Sequence, residues 1–101
     1  MDLQKKISLD AIFKPGSVAV VGASNNIRSW GFGMLNSLLA GRFRGRMYPI
    51  NPNEKVIQGI PGFSSLREVP DEIDLALIVV NASLVPQVIE ECIAKKVKGG
   101  I

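Results

Sequence analysis

Ser17-Val18-Ala19-Val20-Val21-Gly22 decides the fold. A short β-branched run with no polar alternation suits a strand buried on both faces, as a central parallel strand must be. The glycine that closes it permits a sharp turn and a close backbone approach. Working outward, Ala23–Trp30 is polar and loop-like, and Phe32, Leu35, Leu38 and Leu39 then recur at helical spacing until Gly41. Met47-Tyr48-Pro49-Ile50 reads as a second strand, with Pro49 predicting early fraying or an irregular ladder. Residues 54–70 carry Gly59, Pro61, Gly62 and Pro70, predicting a short extended piece, a turn and one helical turn at Ser64–Glu68. Asp74-Leu75-Ala76-Leu77-Ile78-Val79-Val80 is a third strand.

Leu84, Val85, Val88, Ile89, Cys92 and Ile93 define the apolar face of a second long helix, with Ser83 as its N-cap, Pro86 in its first turn and Lys95 and Lys96 at its C-terminus. Val97–Ile101 opens a fourth strand, and Ser8–Phe13 reads as a helical turn ahead of the first. Strands alternating with helices predict an α/β, Rossmann-like parallel sheet with right-handed crossovers. The doubly wound order 3-2-1-4 would set the fourth strand against the flank of Ser17–Gly22. Its two glycines, Gly99 and Gly100, pack nothing, so residues 1–101 are expected to be one domain, the N-terminal portion of a larger protein continuing past Ile101. As an isolated fragment they are expected to self-associate or to be only marginally stable.

Composition narrows the function. The 101 residues suffice for one compact domain, and a net charge of +3 suits a phosphate-bearing small ligand better than nucleic acid. Arg42, Arg44 and Arg46 read as a solvated turn. With no histidine there is no His metal site, no Ser-His-Asp triad and no phosphohistidine in these residues, and no catalytic or metal-ligating residue is assigned. Cys92 is the single cysteine, on the packed face of its helix and structural rather than reactive, so no intrachain disulfide forms, as in a reducing cytoplasm. The N-terminal MDLQKKISLDAIF lacks a signal peptide's apolar core, and the longest apolar run, Leu75–Val80, is far below the about 20 residues that cross a bilayer. A soluble cytoplasmic protein without membrane or nucleic-acid partners is expected.

Ligands of open parallel sheets lie beyond the carboxyl ends of the strands, where residues 22–31, 51–55 and 81–83 converge. Gly22, Ser24, Asn25 and Asn26 offer a tight turn and small polar groups, Arg28 a cation able to grip phosphate, and the helix near Gly31 its free amides. A loop that merely turns the chain is the bland alternative. A dinucleotide site for NAD(P) fits worse. Gly31-Phe32-Gly33 begins nine positions after Gly22, has Asn36 at its third position, and the second strand ends in Asn51-Pro52-Asn53 rather than in an acidic residue. Glu54 comes one turn late for that role.

PGSVAVVGAS at 15–24, GRFRGRMYPINPN at 41–53, GIPGFSSLREVP at 59–70 and DLALIVV at 74–80 together resemble the coenzyme A-binding domain of NDP-forming acyl-CoA synthetases. These are the ADP-forming acetate–CoA ligases and their succinyl-CoA ligase α-subunit relatives, and the resemblance runs from about Leu9 to Ile101. It implies that Gly22, Ala23 and Ser24 lie against the CoA phosphates, that Asn51 and Pro52 line the nucleotide pocket with Lys55 near a phosphate, and that Asn81 and Ala82 flank the cofactor. The family often has Pro where Asn81 stands, and its loop varies at Arg28 and Trp30. The full enzymes make acyl-CoA from a carboxylic acid, CoA and ATP or GTP, using a nucleotide-grasp domain and a phosphorylated histidine outside these residues. The resemblance therefore implies further ligase domains or a second subunit as partners, and an oligomer. The same domain also occurs fused to protein lysine acetyltransferases, and a stand-alone CoA-binding module is a further alternative.

Overall fold

The computed structural model describes residues 16–101, so the helical turn expected at Ser8–Phe13 lies outside the described residues. Four strands, β1 (Ser17–Val21), β2 (Arg46–Ile50), β5 (Leu75–Ile78) and β6 (Gly99–Gly100), form a parallel sheet in the order β2-β1-β5-β6. Between β2 and β5 the chain makes a small antiparallel hairpin, β3 (Val56–Ile57) and β4 (Ile60–Pro61), then a 3-10 turn at Leu66–Glu68. The helices are α1 (Trp30–Ala40) and α2 (Val85–Lys95).

All five β1 residues are buried, and their alternation feeds two cores. Val18 and Val20 pack with Leu35 of α1, Ile57 of the hairpin and Leu75. Ala19 and Val21 pack on the opposite face with Tyr48, Ile50, Leu66, Val69, Ile73 and Val88 of α2. Leu35 is fully buried, worth about 1.5–3 kcal/mol relative to exposure.

The strand order corrects the expected one. β1 is flanked not by the fourth strand but by the third, in register Val18↔Leu75 through Val21↔Ile78, and β6 pairs beyond it with Leu75 and Ala76. The crossover from β2 runs over the α2 face, where Leu66, Val69 and Ile73 are buried, and so lands on the far side of β1. A right-handed connection over that face leads in this direction. The edge expected along Val18–Val21 therefore does not exist. Among the described residues the outer edge of β6 has no pairing strand.

Pro49 leaves the ladder intact, opposite Val20 on the edge strand β2. Its carbonyl accepts from the Phe63 amide on the outer side, at 2.9 Å. Its nitrogen faces that same side, where no ladder bond is needed. Gly41 caps α1 as expected but with φ −77°, and Arg42 makes the left-handed turn at φ 56°. Ser83 is not the N-cap of α2: it lies in a 3-10 turn, Ala82–Leu84, and Leu84 takes the cap position without a side-chain hydrogen bond. On α2, Val88 is buried and Cys92 packs against the core, but Leu84, Ile89 and Ile93 are exposed.

The amino ends of the strands are tied by Asp74. Its Oδ2 accepts from the Gly16 amide at 2.7 Å, and its Oδ1 lies 3.2 Å from Lys98 Nζ. Burial pushes its carboxyl upward, but the Gly16 amide and Lys98 outweigh that and hold it below its ordinary value. Arg46, 3.7 Å from Asp71, lies at this same end, remote from the carboxyl ends.

Candidate functional site

At the carboxyl end of β1 the chain turns at Gly22 with φ +95°. A Cβ there would collide with the carbonyl oxygen of Val79, where the chain leaves β5. A Cβ on Gly31, in the first turn of α1, would in turn fall on the carbonyl oxygen of Gly22. Backbone–backbone packing thus fixes both ends of the loop between β1 and α1. The contact with Val79 alone requires glycine at position 22.

The loop's interior is tied just as closely. Ser24 Oγ accepts from the Asn26 amide at 2.9 Å, Asn26 Oδ1 from the Arg28 amide at 3.0 Å, and Ser29 Oγ caps α1 by accepting from the Phe32 amide at 3.1 Å. Asn25 spans to the hairpin: its Nδ2 donates to Glu54 Oε2 at 3.1 Å and to the Val56 carbonyl at 2.9 Å, while its Oδ1 accepts from the Gln58 amide at 2.7 Å. Asn51 donates from Nδ2 to the Ala23 carbonyl at 2.9 Å and accepts at Oδ1 from the Asn53 amide at 2.8 Å. The strand-end residues 22–26 and 51–58 are therefore one hydrogen-bonded unit.

The hairpin fills the α1 side of this unit, burying Ile57 beneath it. The α2 side stays open. A hollow of about 190 Å³ is lined by Gly22, Pro52, Ser64, Val80, Leu84 and Glu91, among others. An adjoining one of about 260 Å³ shares Pro52 and Ser64 and adds Asn51, Lys55, Glu54 and Glu68. Of the residues singled out in the sequence, Gly22, Asn51, Pro52 and Lys55 line these hollows; Ser24, Arg28, Asn81 and Ala82 line neither. Ala23 is fully buried against the α1-side core, its amide donating to the Val20 carbonyl and its own carbonyl accepting from Asn51. Arg28 is exposed, with no ion pair for its guanidinium among the described residues.

Ser64, Gln87 and Glu91 in the lining, and the role of Gln58, were not foreseen. The hairpin that presents Gln58 has only two residues in each strand, too few for a periodic signal.

The geometry disfavours a nicotinamide dinucleotide. Glu54, the carboxylate that follows β2 in sequence, is already engaged by Asn25, and Gly31-Phe32-Gly33 lies inside α1 rather than at the end of β1. The family model described as CoA binding domain matches residues 16–101. The chain belongs to this CoA-binding domain family.

Several curated proteins to which the chain is similar are ligases. The chain is 41% identical over 90 residues to the ADP-forming acetate–CoA ligase II of Archaeoglobus fulgidus, covering 89% of this chain and 13% of that one. It is 44% identical over 96 residues to the α subunit of ADP-forming acetate–CoA ligase I of Pyrococcus furiosus, covering 91% of this chain and 21% of the subunit. Among solved structures, it is similar to a dinucleotide-forming acetyl-coenzyme A synthetase 1 from Candidatus Korarchaeum cryptofilum, in complex with phosphate and ADP. The TM-score is 0.89 at 37% identity, over 91% of this chain and 20% of the synthetase. The chain thus spans between an eighth and about a fifth of the length of these relatives. They favour the ligase reading over an acetyltransferase fusion, a stand-alone module or an NAD(P) domain. No helix among the described residues is long and apolar enough to cross a membrane.

Proposed function

We propose that these residues hold coenzyme A for an ADP-forming acyl-CoA ligase, which joins a carboxylic acid to CoA at the expense of a nucleoside triphosphate. The observation that carries this reading is the pinned loop 22–31 beside an open, largely apolar trough on the α2 side.

The chemistry of the donors suits a ligand with phosphates at one end and an uncharged body at the other. Glu91 lines the trough, so phosphates are disfavoured in it. They go instead to the amino end of α1. There the first-turn amides of Trp30 and Gly31 have no helical partner, the helix dipole is positive, and Arg28 adds a guanidinium. Gly22 and Ser24 contribute backbone contacts, and the buried Ala23 supports the loop beneath them. Asn51 and Pro52 shape the wall, Lys55 supplies a second cation, and Asn81 and Ala82 border the ligand beyond β5.

ATP or GTP is bound elsewhere in the full ligase, by its remaining domains or by a second subunit, in a cytoplasmic oligomer. These residues bind and orient CoA; the acyl transfer chemistry belongs to the other parts.

Calorimetry on the full-length protein with CoA, NAD and NADP tests the reading. CoA is expected to bind tightest, and a preference for NAD overturns it.

A further inference from the structure

We infer that Gln58 is a positioning residue for the coenzyme loop, an inference that rests on the CoA reading above. Gln58 occupies the first turn position of the β3–β4 hairpin with φ 51°, followed by Gly59 at φ 81°. Two consecutive left-handed residues make the tight turn suited to a two-residue hairpin, and asparagine or glycine fits the first place with less strain than glutamine. The glutamine side chain has a specific use. Its Nε2 donates to the Phe32 carbonyl at 3.1 Å and to the Ser24 carbonyl at 3.3 Å.

Those carbonyls stand at opposite ends of the loop, one just past β1 and the other in the first turn of α1. A carboxamide carries two N–H donors, so one group serves both ends at once. The Gln58 amide meanwhile holds the middle of the loop through Asn25 Oδ1. The side chain thus ties the strand end of the loop to the first turn of α1. The loop enters binding already ordered, and preorganisation of this kind raises affinity without a contact to the ligand.

Two variants of the full-length protein test this. Gln58→Gly keeps the backbone donor to Asn25, relieves the left-handed conformation and removes the side chain with its carboxamide. Gln58→Glu keeps the size and replaces donors by acceptors. Hydrogen exchange of the amides of residues 24–33, melting temperature and calorimetric CoA affinity are read together. In Gln58→Gly the melting temperature is expected to hold or rise, loop amides to exchange faster, and CoA to bind about tenfold more weakly, the scale of ordering one or two extra groups on binding. Gln58→Glu is expected to lose at least as much affinity. Unchanged affinity and exchange in Gln58→Gly overturn the inference, as does a loss of affinity matched by an equal loss of stability. A wild-type protein that ignores CoA refutes the proposed function instead, and loop exchange in the two variants still decides whether Gln58 orders the loop.

Discussion

Gly31 has no room for a side chain because the carbonyl of Gly22 stands where its Cβ would be. Gly22 is itself left-handed and pressed against the Val79 carbonyl, so the three backbones form one stack. Gly22→Ala and Gly31→Ala are each expected to cost about 3 kcal/mol or more, through backbone collision and, at Gly22, a forced left-handed alanine. Gly33→Ala, whose Cβ meets open space on α1, is expected to gain about 0.5–1 kcal/mol. Urea unfolding of the three variants checks the contrast, and equal effects at Gly31 and Gly33 would refute the stacked arrangement.

Arg28→Ala is expected to weaken CoA binding by about 1.5–3 kcal/mol, the range for hydrogen bonds to charged groups. Calorimetry with CoA and dephospho-CoA then identifies the partner. A smaller loss with dephospho-CoA points to the 3′-phosphate, and an equal loss to the pyrophosphate. Unchanged CoA affinity would make Arg28 a solvated loop residue.

Asp74 makes stability pH-dependent in a definite direction. Its folded carboxyl lies below the ordinary 3.8, so the contribution is complete above that pH and is lost as the pH falls through the folded value. Asp74→Ala removes the acceptor of the exposed Gly16 amide and the nearer of two carboxylates beside Lys98, and is expected to cost about 0.5–1.5 kcal/mol at neutral pH. Unfolding curves of wild type and variant should converge as the pH drops below 3.8. A stability difference that persists undiminished in strong acid would show that the Asp74 carboxylate is not its source.

Cys92 is half-buried, and burial, with Glu91 alongside, raises its thiol above the ordinary 9.0. Alkylation by iodoacetamide is therefore expected to be slow at neutral pH and to reach half its limiting rate only above pH 9.0. Fast modification at pH 7 would mean that the thiol is not held as described.

Much of this was legible in the residues, for identifiable reasons. Val18–Val21 and Leu75–Ile78 announce themselves because strands covered on both faces must be apolar throughout. Strand order is not carried by periodicity; it follows from which face the 51–74 crossover buries, and Leu66, Val69 and Ile73 show no face preference in the sequence. The start of α2 was misread because Ser83 is a good cap by residue type, but the chain takes a 3-10 turn first and leaves no side chain in position. In the site, Gly22 was found for its flexibility while the actual constraint comes from Val79, a neighbour 57 residues away in sequence. Ala23 and Asn51 were placed against the ligand by resemblance. Their side chains turn out to serve the core and the loop's own hydrogen bonds.

The double anchoring of the loop at Gly22 and Gly31 divides its residues into two kinds. Ser24, Asn25, Asn26 and Ser29 are committed to internal bonds, whereas Ile27 and Trp30 are 75% and 87% exposed and Arg28 is exposed as well. The loop behaves as a rigid cartridge with a replaceable facing. Diversity at 27, 28 and 30 can accumulate without threatening the scaffold, so divergence within the lineage, or a library confined to these positions, can retune what is recognised while folding is inherited unchanged.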